Sequence, residues 1–100
     1  LKEPFWFVTA ENTKATAITD ITGARAGVAY IIECGSTTNA STIAKSGKFD
    51  SITAAWNPTE LGDYIMVILN SKNKFIELER CVGGVRAVNK LLQPNVPGAR

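Results

Sequence analysis

Between Gly62 and Arg80 the hydrophobic and polar positions fall into two blocks separated by a polar turn. Residues 63–69 are dominated by Tyr, Ile, Met, Val, Ile and Leu, too short a series to cross a bilayer and rich in β-branched side chains, so they predict a strand buried on both faces. Asn70, Ser71, Lys72 and Asn73 then reverse the chain, because Asn and Ser side chains bond their own backbone and Asn tolerates positive φ. The return puts Ile76 and Leu78 on one face and Glu77 and Glu79 on the other, the period-two pattern of a strand with one solvated side.

Upstream, Pro4 precedes Phe5, Trp6, Phe7, Val8 and Thr9, an aromatic and β-branched series that predicts a first strand. A second, Thr-rich strand is expected over residues 15–22 around Ile18 and Ile21. Gly23 and Gly27 bracket a turn carrying Arg25, and Val28, Ala29, Tyr30, Ile31 and Ile32 predict a third strand ending at Cys34 and Gly35. Residues 36–41 are small and mostly polar and read as an exposed loop. Two short strands are expected over 42–46 and 49–54, with Ile43, Phe49, Ile52 and Trp56 facing inward.

After Cys81, Gly83 and Gly84 break the strand, and the spacing of Val85, Val88, Leu91 and Leu92 predicts a short helix that Pro94 and Pro97 stop, leaving an extended tail. The expected fold is all-β: an antiparallel β-sandwich or small barrel of about seven to eight short strands over residues 1–83, then a short helix or extended tail over 84–100.

One hundred residues enclose one thin core, and four Phe, two Trp and two Tyr are more ring than such a core covers. Some rings are therefore expected to form an apolar surface patch. Phe5, Trp6 and Phe7 are the candidate interface, because three consecutive rings must point to both sides of a strand. Trp6, Trp56 and Tyr30 are the alternative candidates, as stacking platforms for a sugar.

Eleven basic and nine acidic residues leave a net charge of +2 without any Lys/Arg cluster, so no nucleic-acid partner is expected. No apolar series approaches the ~20 residues that span a bilayer, and no membrane insertion is expected. The chain opens on Leu1 rather than Met, which suggests an excised or processed piece. Cys34 and Cys81 are too sparse for a disulfide framework and are expected as free thiols. With no His and no CxxC, the ligand set zinc requires is missing, and neither a metal nor another cofactor is expected.

Catalytic patterns are equally thin. Without His no ordinary Ser triad can be assembled. Asp20, Asp50 and Asp63 are scattered beside turns rather than spaced as a calcium loop. Gly23 and Gly27 lack the Lys and Ser/Thr of a phosphate loop. The triplet Asn39, Ala40, Ser41 matches a glycosylation acceptor but carries weight only in a secreted eukaryotic protein. Glu77 and Glu79 would lie about 6–7 Å apart on one strand face, a spacing that suits an acid and a base in glycoside cleavage. A solvated strand face accounts for the same alternation, and no other groups converge on it, so no enzymatic activity is expected.

The segments AITDITGARAGVAYIIECGSTTNASTIAKSGKF and TAAWNPTELGDYIMVILNSKNKFIELERC resemble a recurrent β-rich module of bacteriophage and prophage virion proteins, of tail-fibre, tail-spike or capsid-associated type. Ile18, Thr19, Ile21 and Gly23 match its Thr-rich first strand, and Gly27, Tyr30 and Ile32 its second. Gly62, Asp63, Ile65 and Val67 match the third, and Phe75, Glu77 and Arg80 the fourth, so the likeness spans residues 15–81. The resemblance implies a virion structural role and self-association, often as a trimer. Other virion proteins and a host-surface glycan would be further partners, and no catalytic residues carry over. Assembly in the bacterial cytoplasm would leave both thiols free. The alternative, from the residues alone, is a secreted carbohydrate-binding module.

Overall fold

In the computed structural model, which describes residues 5–88, seven strands and one 3-10 turn follow in order. They are β1 (Trp6–Val8), β2 (Thr16–Ala17), β3 (Ala29–Glu33), β4 (Ser41–Thr42), the 3-10 turn Gly47–Phe49, β5 (Tyr64–Leu69), β6 (Phe75–Val82) and β7 (Val85–Val88). Five of the strands form one sheet in the order β1-β3-β5-β6-β7, while β2 and β4 pair separately. The expected all-β composition stands, but the pairing is mixed rather than antiparallel: β1 runs parallel to β3, and β2 parallel to β4. The large sheet ends at two edges, β1 and β7, and is not closed into a barrel.

The central hairpin forms where the sequence places it. Asn73 takes positive φ (66°), and the Asn70 side-chain oxygen accepts from the N–H groups of Lys72 and Lys74. Its faces differ from expectation. Residues of β5 are not buried on both sides: Ile65, Val67 and Leu69 are buried, whereas Tyr64, Met66 and Ile68 are only half-buried. On β6 the inward residues are Phe75 and Glu77, not Ile76 and Leu78.

The register set by the turn places Phe75 and Glu77 opposite buried Leu69 and Val67, and a β-bulge follows directly. Val67 pairs with Glu77 and Met66 with Glu79, so Leu78 is the extra residue on β6. One inserted residue inverts the side-chain alternation beyond it, and Glu77 and Glu79, two apart in sequence, end on opposite faces of the sheet. By the same shift Arg80, opposite buried Ile65, joins the face of Glu77.

That inner face carries the core. Tyr30, Ile32, Ile65, Val67, Leu69 and Phe75 cluster with Ile21, Ile43, Phe49, Ile52 and Trp56 from the connecting segments. Phe49 and Phe75 stack with centroids 4.7 Å apart. Ile43, Phe49, Ile52 and Trp56 are thus inward as expected, although residues 49–54 form no strand. They leave the 3-10 turn irregularly, with a single bridge from Ser51 to Ile76.

The helix expected from Val85 is a strand over its described part. Gly83 (φ 62°) and Gly84 (φ 81°) form a two-residue hairpin turn whose two positive φ values suit glycine, and Val82 and Val85 pair directly across it. The remainder of the expected helix and tail, from residue 89 onward, lies outside the described residues.

Candidate functional site

Strand β1 joins the sheet through backbone bonds on one side. Ile31 N–H donates to the Phe5 carbonyl (2.8 Å) and Thr9 N–H to the Glu33 carbonyl (2.9 Å). Gly35 permits this approach, since a Cβ there would fall 2.1 Å from the Thr9 carbonyl oxygen. The candidate interface residues do reach the surface: Phe5 is 46 %, Trp6 59 % and Phe7 43 % exposed, and Val8 is 62 % exposed.

These rings divide between the two faces of the sheet. Phe5 and Phe7 lie on the inner side against Tyr30, Phe5 edge-on at 5.3 Å and Phe7 stacked at 6.3 Å. With Ile21, Thr22 and Val28 they wall a cleft of about 440 Å³. Trp6 lies on the outer side, where its Nε1–H donates to Glu33 Oε1 (2.8 Å). Ile31, Met66, Tyr64 and Glu79 complete a second cleft of about 330 Å³ beside it.

The outer cleft ends in a polar chain. The Tyr64 hydroxyl donates to Glu79 Oε2, and Arg86 Nε–H donates to the same oxygen (2.7 Å) while its Nη2 reaches Oε1 (3.2 Å). The Arg86 bond, then the Tyr64 bond, hold the Glu79 carboxyl below its ordinary value. The bond to Glu79, aided by burial, pushes the Tyr64 phenol up. Glu79 is therefore an ionised acceptor engaged by two donors, an arrangement that fixes the open face rather than supplying a mobile proton.

On the inner face Glu77, only 2 % exposed, accepts from Arg80 Nε–H (3.0 Å) and Nη2 (2.8 Å), and from Thr53 N–H (3.1 Å) and Oγ1–H (3.0 Å). Arg80 also donates to the carbonyls of Ala54 and Ala55. Burial opposes ionisation of Glu77, and the Arg80 and Thr53 bonds outweigh it, so its carboxyl lies below the ordinary value. The reading of Glu77 and Glu79 as one solvated face is corrected here. The bulge separates them, and with it goes the spacing that an acid–base pair on one face would need.

Two of the three sugar-platform candidates are enclosed. Trp56 is a core ring whose backbone pairs with Ile43 (Trp56 N–H to O, 2.7 Å), and Tyr30 is buried under Phe5, Phe7 and Phe75. Both rings are buried, Tyr30 at the floor of the cleft between Phe5 and Phe7, and of the three candidates Trp6 alone is exposed. Cys34 is buried and Cys81 half-buried, both as free thiols. Among the described residues no three Cys, Asp or Glu side chains converge in a metal-ligand cluster, and no helix is long and apolar enough to cross a membrane.

Asp63, one of several carboxylates scattered beside turns in the sequence, becomes a site only in the fold. It is buried, and its Oδ2 accepts from the N–H groups of Thr59 (2.8 Å), Glu60 (3.0 Å) and Gly83 (2.9 Å), with Gly84 reaching Oδ1 (3.3 Å). This carboxylate ties the segment before β5 to the β6–β7 turn. The signal in sequence is Asp next to Gly62 at the entrance to an apolar strand, which by itself does not reveal the donors arriving from twenty residues downstream. No protein-family model, curated protein or solved structure matches this chain.

Proposed function

We propose that this chain is a non-enzymatic structural module that self-associates within a larger assembly, a virion protein of phage type being the setting its sequence resembles. The observation that carries the reading is the concentration of exposed apolar surface on one short edge strand and the residue before it: Phe5, Trp6, Phe7 and Val8 are consecutive, and all four are more than two-fifths exposed. Surface of this kind on a small domain marks a protein interface. The polar groups elsewhere are engaged in holding the fold, as Asp63 and Glu77 are, which fits a scaffold role. Assembly in a bacterial cytoplasm and contact with other virion proteins belong to the same reading.

Light scattering on the purified chain at tens of micromolar should report an oligomer, and Trp6→Ser should shift it toward monomer. A strictly monomeric chain at that concentration overturns the reading. A carbohydrate-binding function, as in a secreted module, is the second reading, favoured by the exposure of Trp6 beside a cleft rimmed by Tyr64 and Glu79. Saturable quenching of tryptophan fluorescence by a glycan, lost in Trp6→Ser, would select it.

A further inference from the structure

Building on the assembly reading, we infer that the partner on β1 is a second copy of β1, paired antiparallel across a twofold axis at Phe7 so that two five-stranded sheets join into one.

The backbone dictates this register. Along β1 the groups bonded to β3 belong to Phe5, Phe7 and Thr9, as the parallel pairing of Trp6 with Ile31, Phe7 with Ile32 and Val8 with Glu33 requires. The N–H and C=O groups of Trp6 and Val8 therefore point away from the sheet. Among the described residues no strand pairs on that side, because β1 is the end of the sheet order. Directional donors and acceptors two residues apart are the template for an added strand. In an antiparallel pair, Trp6 and Val8′ exchange both of their backbone bonds, Val8 and Trp6′ do the same, and Phe7 meets Phe7′ as the pair without bonds between.

The side chains agree with that register. Trp6 faces Val8′ on the outer side and Phe7 faces Phe7′ on the inner side, aromatic with β-branched and aromatic with aromatic, both favourable cross-strand pairs. No charge is carried from Phe5 to Thr9, so no like charges oppose each other across the axis. Moving the axis to Trp6 would set Val8 against Pro4′, which has no N–H to give. Moving it to Val8 would set Trp6 against Ala10′, beyond the end of the strand. An isologous contact closes on itself, so the unit it builds is a dimer rather than the trimer the resemblance implies.

Cysteine scanning in a Cys81→Ser background of the full chain tests the register under mild oxidation. Phe7→Cys should form an intermolecular disulfide, since residues facing across a pair without bonds have Cα atoms about 4.5 Å apart. Trp6→Cys should not crosslink to its own copy, because the diagonal separation is about 7–8 Å. A chain that oligomerises while Phe7→Cys stays uncrosslinked, or crosslinks no better than Trp6→Cys, refutes the edge pairing and leaves self-association standing. A monomeric chain refutes both.

Amide exchange on the unaltered chain keeps the inference open to refutation where a variant fails to fold. On raising the concentration through the association midpoint, the Trp6 and Val8 amides should slow by on the order of tenfold, while the Phe7 amide is protected throughout. Association without slowing at Trp6 and Val8 overturns the proposed pairing.

Discussion

Replacing Arg80 with Met tests how the sheet is fastened to its cover. Arg80 is held on the inner face by the bulge at Leu78, and its guanidinium joins Glu77 to the carbonyls of Ala54 and Ala55. Met keeps much of the volume and removes every donor. The Glu77 carboxylate, 2 % exposed, then stays buried having lost the Arg80 guanidinium, with Thr53 still donating to it. Loss of one member of such a pair costs about 3–5 kcal/mol, a large part of the roughly 5–15 kcal/mol that holds a small domain folded. The melting temperature should fall by about 12 °C or more.

Removing both charges should cost less than removing one, so Glu77→Leu with Arg80→Met should recover part of the loss. Acidity gives a second, independent sign. In the parent chain the folded Glu77 carboxyl lies below its ordinary value, so its contribution is present above that value and is lost as pH falls through the folded one. In Arg80→Met, burial still opposes ionisation while the Arg80 bonds are gone, so the carboxyl rises relative to the parent and less of its contribution is lost on acidification. The difference between parent and variant should therefore shrink from pH 7 towards pH 4. Urea unfolding, followed by the emission of buried Trp56 at concentrations below association, measures both. A loss under about 1 kcal/mol, or one independent of pH, refutes the clasp.

Asp63→Asn should cost about 1–3 kcal/mol, because an amide cannot accept as a carboxylate does from the backbone of Thr59, Glu60, Gly83 and Gly84. Burial opposes ionisation of Asp63 and those N–H groups outweigh it, so its contribution is lost as pH falls through a lowered folded value. Melts from pH 7 to pH 3 should be flatter for the Asn variant, and identical profiles would dismiss Asp63 as a staple. For the thiols, reductant should leave the melting temperature unchanged, and alkylation of the native chain should modify half-buried Cys81 before buried Cys34. Protection of both in denaturant without reductant would contradict the free state.

Local signals in the sequence carried the strands and turns, and non-local ones carried their arrangement. The Asn70–Asn73 reversal and the apolar content of β3 and β5 were legible because turn chemistry and β-branched enrichment act within a few residues. The inward positions of Ile43, Phe49, Ile52 and Trp56 were legible as well, although the strands expected around them largely dissolve into a cover of turns. The parallel partnership of β1 with β3 was hidden, since it brings together residues some twenty-five positions apart without a hairpin to announce it.

The bulge changes the faces of β6 most and has no signal in the sequence. A sequence alternating as Ile76, Glu77, Leu78, Glu79 gives a clean period of two, and nothing in it marks Leu78 as the inserted residue. Gly83 and Gly84 were, by contrast, a readable hairpin signal, overridden by a helical spacing of Val and Leu that continues past the described residues.

The two edges of the large sheet carry different chemistry. Edge strand β7 presents Arg86, whose guanidinium is engaged with Glu79, and a charged side chain on an edge discourages a further strand. Beside β6, before β7 begins, the backbone is met by the Ser51 bridge. Among the described residues strand β1 has neither device: it is short, but between Phe5 and Thr9 there is no charge, no proline and no bulge, and rings are exposed on both faces. A monomeric fold under selection against uncontrolled pairing would be expected to guard both edges alike. An edge left open and apolar beside one that carries charge is the asymmetry expected of a chain whose β1 is completed by a partner, and a self-complementary register is one that a second copy supplies without any further component.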